Sequence, residues 1–218
     1  MSDLQCPATL LVSRHGDAGY AVGGVLLDDD SALTDKGRDQ VRHLVEQVRS
    51  RRVAAVYSSK MRRAVESAEL AASELALRAL AVDGLQEFSV GNLAGVSFDD
   101  DRAQQVFDAW LHGDLAASCP GAEDGHAVVK RFKEALDEIA DRHRGETVLV
   151  FSHGGAMSLA IPRLSANLRN DPAAQRFLSS CVAAEIEVDA DGWCVVTWPG
   201  ATDQLTNEGS RPDDSEQA

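Results

Sequence analysis

Three short apolar runs, each ending in a polar cluster, constrain the fold of this chain more than any other feature: TLLVS at 9–13, VAAVY at 53–57 and TVLVF at 147–151. Each is too short for a buried helix and too continuous for a half-exposed strand. Each therefore reads as a strand covered on both faces. Between them lie helical patterns. From Thr34, as a cap, small or apolar residues recur at Gly37, Val41, Leu44, Val45 and Val48, and this helix is expected to end near Arg52. Ser58 and Ser59 offer hydroxyls to cap a second helix, with a buried stripe at Met61, Ala64, Val65, Ala68, Ala71, Ala72 and Leu75. Residues 78–82 form a further strand in this reading. Val128, Val129, Phe132, Leu136, Ile139, Ala140 and His143 mark one face of a long helix closed by Gly145, and residues 154–164 a helix stopped or kinked by Pro162. Alternating strands and helices predict an α/β fold, a mostly parallel sheet flanked by helices. Residues 181–188 and 193–198, joined by a turn at 189–192, read as an antiparallel hairpin at its edge.

The 218 residues carry a formal charge of −14, with 44% hydrophobic and 26% charged side chains. That mix suits one globular domain, expected over residues 1–200 with a small cap around 88–120 and a disordered acidic tail at 201–218. The acidic balance, with no basic run, excludes sequence-independent nucleic-acid binding as an expectation. No apolar run approaches a membrane span, and no basic segment precedes the first apolar stretch, so a cytoplasmic protein without a membrane partner is expected. The cysteines Cys6, Cys119, Cys181 and Cys194 have no metal or redox spacing. In the expected hairpin Cys194 faces Glu187 and Cys181 faces Gly200, so the two do not bridge and the thiols are read as reduced and mostly buried.

The chemistry lies at the strand ends: VSRHG at 12–16, VYSSKMRRA at 56–64 and VFSHGG at 150–155. In an open α/β sheet the carboxyl ends of the strands open into one crevice, which brings together Arg14, His15, Arg63 and His153. Two guanidiniums and two imidazoles at one spot repel unless an anion lies between them, and phosphate fits best. Metal binding is the competing reading of paired histidines, but fixed positive charges beside them disfavour a divalent cation. Neither histidine has a second ligand at motif spacing. No metal or other cofactor is expected. A structural role for both histidines would leave unexplained why two His-Gly strand ends recur with an arginine beside one of them. His43, His112, His126 and His143 have no partner spacing and read as ordinary helix or loop residues.

These motifs resemble the histidine phosphatase superfamily, the group that contains the cofactor-dependent phosphoglycerate mutases. The matching residues are Arg14-His15-Gly16; Leu33-Thr34 with Gly37 and Gln40; Ser58-Ser59 with Arg63-Ala64 and Ser67-Ala68; Leu85, Glu87, Gly91 and Gly95; Pro120-Gly121 with Glu123; and Ser152-His153-Gly154. In order and spacing they cover residues 9–198. The resemblance implies the phosphoglycerate mutase-like three-layer α/β/α architecture. It assigns His15 as nucleophile, Arg14, Arg63 and His153 as clamps on the phosphoryl oxygens, Gly154 as a close backbone neighbour of the phosphate, and Glu87 as proton donor to the leaving group. An apolar setting beside Phe88 favours that last role; Asp17, Asp28, Asp29, Asp30 and Glu123 are its rivals.

The chain departs from the family pattern where the substrate pocket would lie. Asp17 replaces Glu or Gln, the usual following Asn is missing, Lys60 replaces a proline and Ala94 a glutamate. The stretch GYAVGGVLLDDD at 19–30 supplies aspartates where a mutase needs cations for a second anionic group. The expected activity is therefore hydrolysis of a small, partly apolar phosphomonoester, with Asp17 and Tyr20 on the substrate side. A mutase, a protein phosphohistidine phosphatase and a silent phospho-ligand binder are the alternatives. Phe107 and Trp110 read as the packing face of a cap helix, with pocket lining as the other option. The hairpin or an edge strand leaves a homodimer open.

Overall fold

A computed structural model describes residues 6–19, 31–97, 99–169 and 178–199; Tyr20, the three aspartates at 28–30 and the tail at 201–218 lie outside them. Its centre is a six-stranded sheet in the order β3-β2-β4-β1-β5-β6. The strands are β1 (Ala8–Arg14), β2 (Val53–Ser59), β3 (Ala79–Val82), β4 (Thr147–Ser152), β5 (Ala183–Asp189) and β6 (Gly192–Thr197). The first four are mutually parallel, and β5 and β6 add an antiparallel hairpin beyond β1.

The three runs of the sequence are the middle of this sheet because their side chains are covered on both sides. Leu10, Val12, Tyr57, Val148 and Val150 join one core with α4 (Gly125–Arg142) and α5 (Gly154–Leu164). The alternate residues Leu11, Val56, Leu149 and Phe151 join another with α1 (Asp35–Val48) and α2 (Arg62–Glu74). Period-two alternation of strand side chains thus yields three layers from one apolar pattern. The Thr34 side chain caps α1 by accepting from Gly37 N at 3.0 Å, as the spacing predicts.

Ser58 and Ser59 correct the expectation. Both belong to β2, and α2 begins later, with Met61 as an N-cap whose side chain makes no capping bond. Both serines are buried at the strand end; Ser59 Oγ lies 2.7 Å from His153 Nε2 and accepts from Met61 N at 3.3 Å, whereas Ser58 Oγ has no partner among the described residues. The hairpin also begins later than expected, at Ala183. Cys181 precedes it with a positive φ of 57° and donates its N–H to Arg14 O at 3.0 Å. Cys194 does face Glu187. All four cysteines are free, with Cys119 and Cys181 buried and Cys194 exposed. Burial raises the Cys181 thiol to about 12, which leaves it inert as a nucleophile at neutral pH. Helix α5 runs through Pro162 to Leu164, so the proline sits in the last turn without ending it.

Residues 88–120 carry a 3-10 turn at Gly91–Leu93 and helix α3 (Arg102–Leu111), with a small cluster of their own around Leu93, Ala103 and Cys119. Trp110 is buried in the main core, donates its indole N–H to Ala117 O at 2.7 Å and meets Phe88 edge-on at 5.0 Å. This is the packing role expected of it. Among the described residues no helix is long and apolar enough to cross a membrane.

Candidate active site

The sheet register builds the site. Arg14 on β1 pairs with Ser152 on β4, so the next residues, His15 and His153, leave neighbouring strands side by side. The ladder continues one step further, with His15 N donating to Ser152 O at 3.0 Å. The two imidazole centroids are 5.1 Å apart, tilted by 56°, close to the ~4.8 Å spacing of paired strands. Both rings are buried, at 2% and 0% exposure, and Arg63 from the first turn of α2 is nearly so at 6%.

A closed circuit of hydrogen bonds orients His15. Arg63 Nε donates to His15 Nε2 at 3.1 Å. A guanidinium can only donate, so Nε2 carries the lone pair and Nδ1 the proton. That proton goes to Gly16 O at 2.7 Å. Gly16 N donates to Ser67 Oγ at 3.1 Å, and Ser67 Oγ donates to Arg63 O at 2.7 Å. Every bond runs head to tail, an arrangement in which each polarises the next. Backbone contact makes the circuit compact, since a Cβ at Gly16 would stand 2.5 Å from Gly37 O.

Burial, aided by Arg14 and Arg63 and opposed by the Gly16 carbonyl, pushes His15 down to about 3 from its ordinary 6.5. Burial likewise holds His153 well below that value, with His15, Arg63 and Arg14 adding to the effect. Both imidazoles are neutral near pH 7, and His15 presents a lone pair. Arg14 Nη1 donates to Leu178 O at 3.2 Å, which ties this guanidinium to the segment leading into β5. His153 caps α5 without a side-chain capping bond; its Nε2 lies 2.7 Å from Ser59 Oγ, and its Nδ1 is buried without a partner.

The vacancy at the start of α5 is filled by Glu87. Its Oε2 accepts Gly155 N at 2.9 Å, and its Oε1 accepts Ala156 N at 2.7 Å and Phe88 N at 3.2 Å. Negative charge at a helix N-terminus is stabilised by the orphan N–H groups and the helix dipole. The close approach requires Gly155, where a Cβ would stand 2.5 Å from Phe88 Cε1 and 2.8 Å from Glu87 Oε1. Gly154, the residue singled out by sequence, is the buried first residue of α5.

Arg131 on α4 locks the Glu87 loop. It donates to Gly84 O and Gln86 O at 2.7 Å and to Glu87 O at 3.3 Å, and forks onto the Glu123 carboxylate at 2.9 and 2.7 Å. Glu123 is thereby an anchor for Arg131. Asp17 Oδ2 accepts from Thr34 Oγ1 at 2.7 Å, and Asp17 N donates to Gln40 Oε1 at 2.8 Å. The structure thus brings together His15, Arg63 and His153, adds Glu87 on the adjoining helix terminus and Arg14 beside them, and holds Asp17 against α1. His43, His112 and His126 are exposed elsewhere. His143 bridges Tyr57 and Glu146, at 3.0 and 2.7 Å. Among the described residues no group of three or more His, Cys, Asp or Glu side chains is placed to hold a metal ion.

Sequence reasoning missed Arg131, Gly155 and the tertiary role of Ser59. Arg131 sits among Lys130 and Lys133 on a charged helix and reads as solvent-facing; only its alignment with the apolar stripe at Val128 and Phe132 hints otherwise.

A parallel sheet with two strand-end histidines and arginines around them defines a phosphoryl-handling site, and the chain belongs to the histidine phosphatase superfamily, branch 1, whose family profile matches residues 10–199. A phosphoglycerate mutase-like protein of Arabidopsis thaliana is 26% identical over 200 residues, 88% of this chain and 84% of that protein. A metal-independent phosphoserine phosphatase of the same plant is 28% identical over 72% of this chain and 68% of its own length. Among solved structures, YhfR of Bacillus stearothermophilus superimposes with a TM-score of 0.74 at 27% identity, covering 87% of this chain and 96% of that one.

Proposed function

We propose that the protein is a phosphatase that hydrolyses a small phosphomonoester, without a metal, through a phosphohistidine on His15. The observation that carries this reading is the neutral, buried His15 with its Nε2 lone pair fixed toward Arg63 and the His153 ring beside it. Neutral imidazole is a competent nucleophile, and phosphoryl transfer asks chiefly for positioning and charge compensation. In the first step Nε2 attacks phosphorus, the N–P bond forms as the P–O bond to the alcohol breaks, and Glu87 supplies the proton to the leaving oxygen. Arg14, Arg63 and His153, with the N-terminus of α5 at Gly154, take the phosphoryl oxygens. In the second step water attacks, the N–P bond breaks, and the water proton goes to Glu87. Both carboxylate oxygens of Glu87 accept backbone N–H bonds from the start of α5, which fixes the carboxyl group in place beside the two histidines.

The resemblance to a protein named as a metal-independent phosphoserine phosphatase supports this reading. In this reading residues 1–200 act as one domain, residues 88–120 cap the leaving-group side, and Asp17 and Tyr20 are the proposed substrate contacts. The test is hydrolysis of para-nitrophenyl phosphate with a chelator present. Turnover, an acid-labile phosphoenzyme on rapid quenching, and loss of both in His15→Ala are expected. Turnover that needs added metal, or that survives in His15→Ala, refutes the mechanism. Net transfer of the phosphoryl group to a second hydroxyl of a phosphorylated acid, with no release of inorganic phosphate, assigns a mutase instead.

A further inference from the structure

We infer that Ser59 is a positioning residue that fixes His153 as the Nδ1-protonated tautomer, so that two neutral histidines meet one phosphoryl group in opposite roles, His15 as lone pair and His153 as proton donor. The inference rests on the phosphatase reading for its consequence, but the tautomer follows from the hydrogen bonds alone. Ser59 is fully buried, and its hydroxyl has two partners: Met61 N donates to Oγ at 3.3 Å, and His153 Nε2 lies 2.7 Å away. A hydroxyl carries one proton and must place it. Were the His153 proton on Nε2, two donors would point at Ser59 Oγ, and the proton of this fully buried hydroxyl would have no acceptor among the described residues. The consistent arrangement has Ser59 Oγ–H donating to Nε2, which puts the imidazole proton on Nδ1.

That proton has no acceptor among the described residues. A buried donor without a partner is costly, and such groups are rare in folded proteins unless a ligand completes them. Beside His15 and Arg63, the ligand that supplies an acceptor is an anion, here the phosphoryl oxygens of substrate or inorganic phosphate. His15 shows the mirror arrangement, with its proton spent on Gly16 O and its lone pair held toward the site. Charge alone does not separate the two imidazoles, since burial keeps both neutral; the hydroxyl of Ser59 and the carbonyl of Gly16 do.

Two-bond nitrogen–proton correlation spectra of enzyme carrying 15N-labelled histidine read the tautomers directly and without turnover. Wild-type His153 is expected to show Nδ1 protonated and Nε2 bare, and inorganic phosphate to shift the Nδ1 proton downfield. In Ser59→Ala the His153 signals become those of mixed tautomers, and kcat for para-nitrophenyl phosphate falls at least about tenfold, the rate equivalent of one transition-state hydrogen bond. KM changes much less, and Ser59→Thr, which keeps the hydroxyl, restores the tautomer and most of the rate. A purely structural role would lower the melting temperature of Ser59→Ala and leave a single Nδ1-protonated His153. That result, or wild-type His153 carrying its proton on Nε2, overturns the inference. Failure of the phosphatase reading shows separately, as turnover that persists in His15→Ala while the tautomer pattern stands.

Discussion

Acid is the perturbation that the buried histidines answer most directly. His15 is held at about 3 against an ordinary 6.5 and His153 well below 6.5, so in the folded protein neither takes a proton at mildly acidic pH, whereas in the unfolded chain both do. Stability is therefore full above about pH 6.5 and is lost as pH falls from there toward the folded values. At pH 5.5 the unfolded His15 imidazole binds about 0.9 proton and the folded one almost none, which gives a slope of about 1.2 kcal/mol per pH unit from His15, with His153 adding in the same direction. Against a total stability on the order of 5–15 kcal/mol, one pH unit then matters. Urea unfolding of wild type, His15→Asn and His153→Asn between pH 5 and 7 measures the slope; His15→Asn is expected to lower it by about 1.2 kcal/mol per pH unit near pH 5.5, and His153→Asn to lower it as well. The carboxylates held low by hydrogen bonds and arginine partners, Glu66, Asp100 and Glu185, lose theirs at lower pH and are common to all three proteins, so they cancel in the difference. A variant whose slope equals that of wild type refutes the claim that its histidine is buried neutral.

Three substitutions test the supports of the site. Gly155→Ala places a methyl group 2.5 Å from the Phe88 ring and 2.8 Å from Glu87 Oε1; it should destabilise by roughly 1–3 kcal/mol and lower kcat more than tenfold, read by melting and by para-nitrophenyl phosphate turnover. Arg131→Met releases three carbonyls and the Glu123 carboxylate, with an expected loss of roughly 3 kcal/mol, and a double-mutant cycle with Glu123→Gln should show coupling above the ~1 kcal/mol of exposed ion pairs. Thr34→Ala removes the α1 cap and the bond to Asp17, costing about 1 kcal/mol in urea unfolding.

What the sequence disclosed and what it hid follow from the range of the forces involved. The strands at Leu10, Val56 and Leu149 are legible because burial on both faces demands unbroken apolar runs, and the Thr34 cap because it acts across three residues. The facing pair Cys194 and Glu187 is legible because a tight turn fixes register. Ser59 was misread because a hydroxyl before a helical stripe has a local explanation, whereas its actual partner, His153, is 94 positions away in sequence. Arg131 was hidden for the same reason: its acceptors are the backbone carbonyls of Gly84, Gln86 and Glu87, which no residue type announces. The convergence of His15, Arg63 and His153 could be read because the two histidines directly follow strand ends and Arg63 lies four residues past one, at the start of the next helix, where topology substitutes for distance.

The adjoining ends of β1, β4 and β2 act as a ruler. Arg14 opposite Ser152 and Ser58 opposite Phe151 mean that His15, His153 and Ser59 inherit their separations from the peptide lattice, graduated in steps of ~4.8 Å across and ~3.3 Å along. Such a gauge has no intermediate settings. A change deep in the sheet either leaves the reaction geometry untouched or displaces a member by a whole notch, so loops around the rim can diversify freely while the calibration underneath stays discrete.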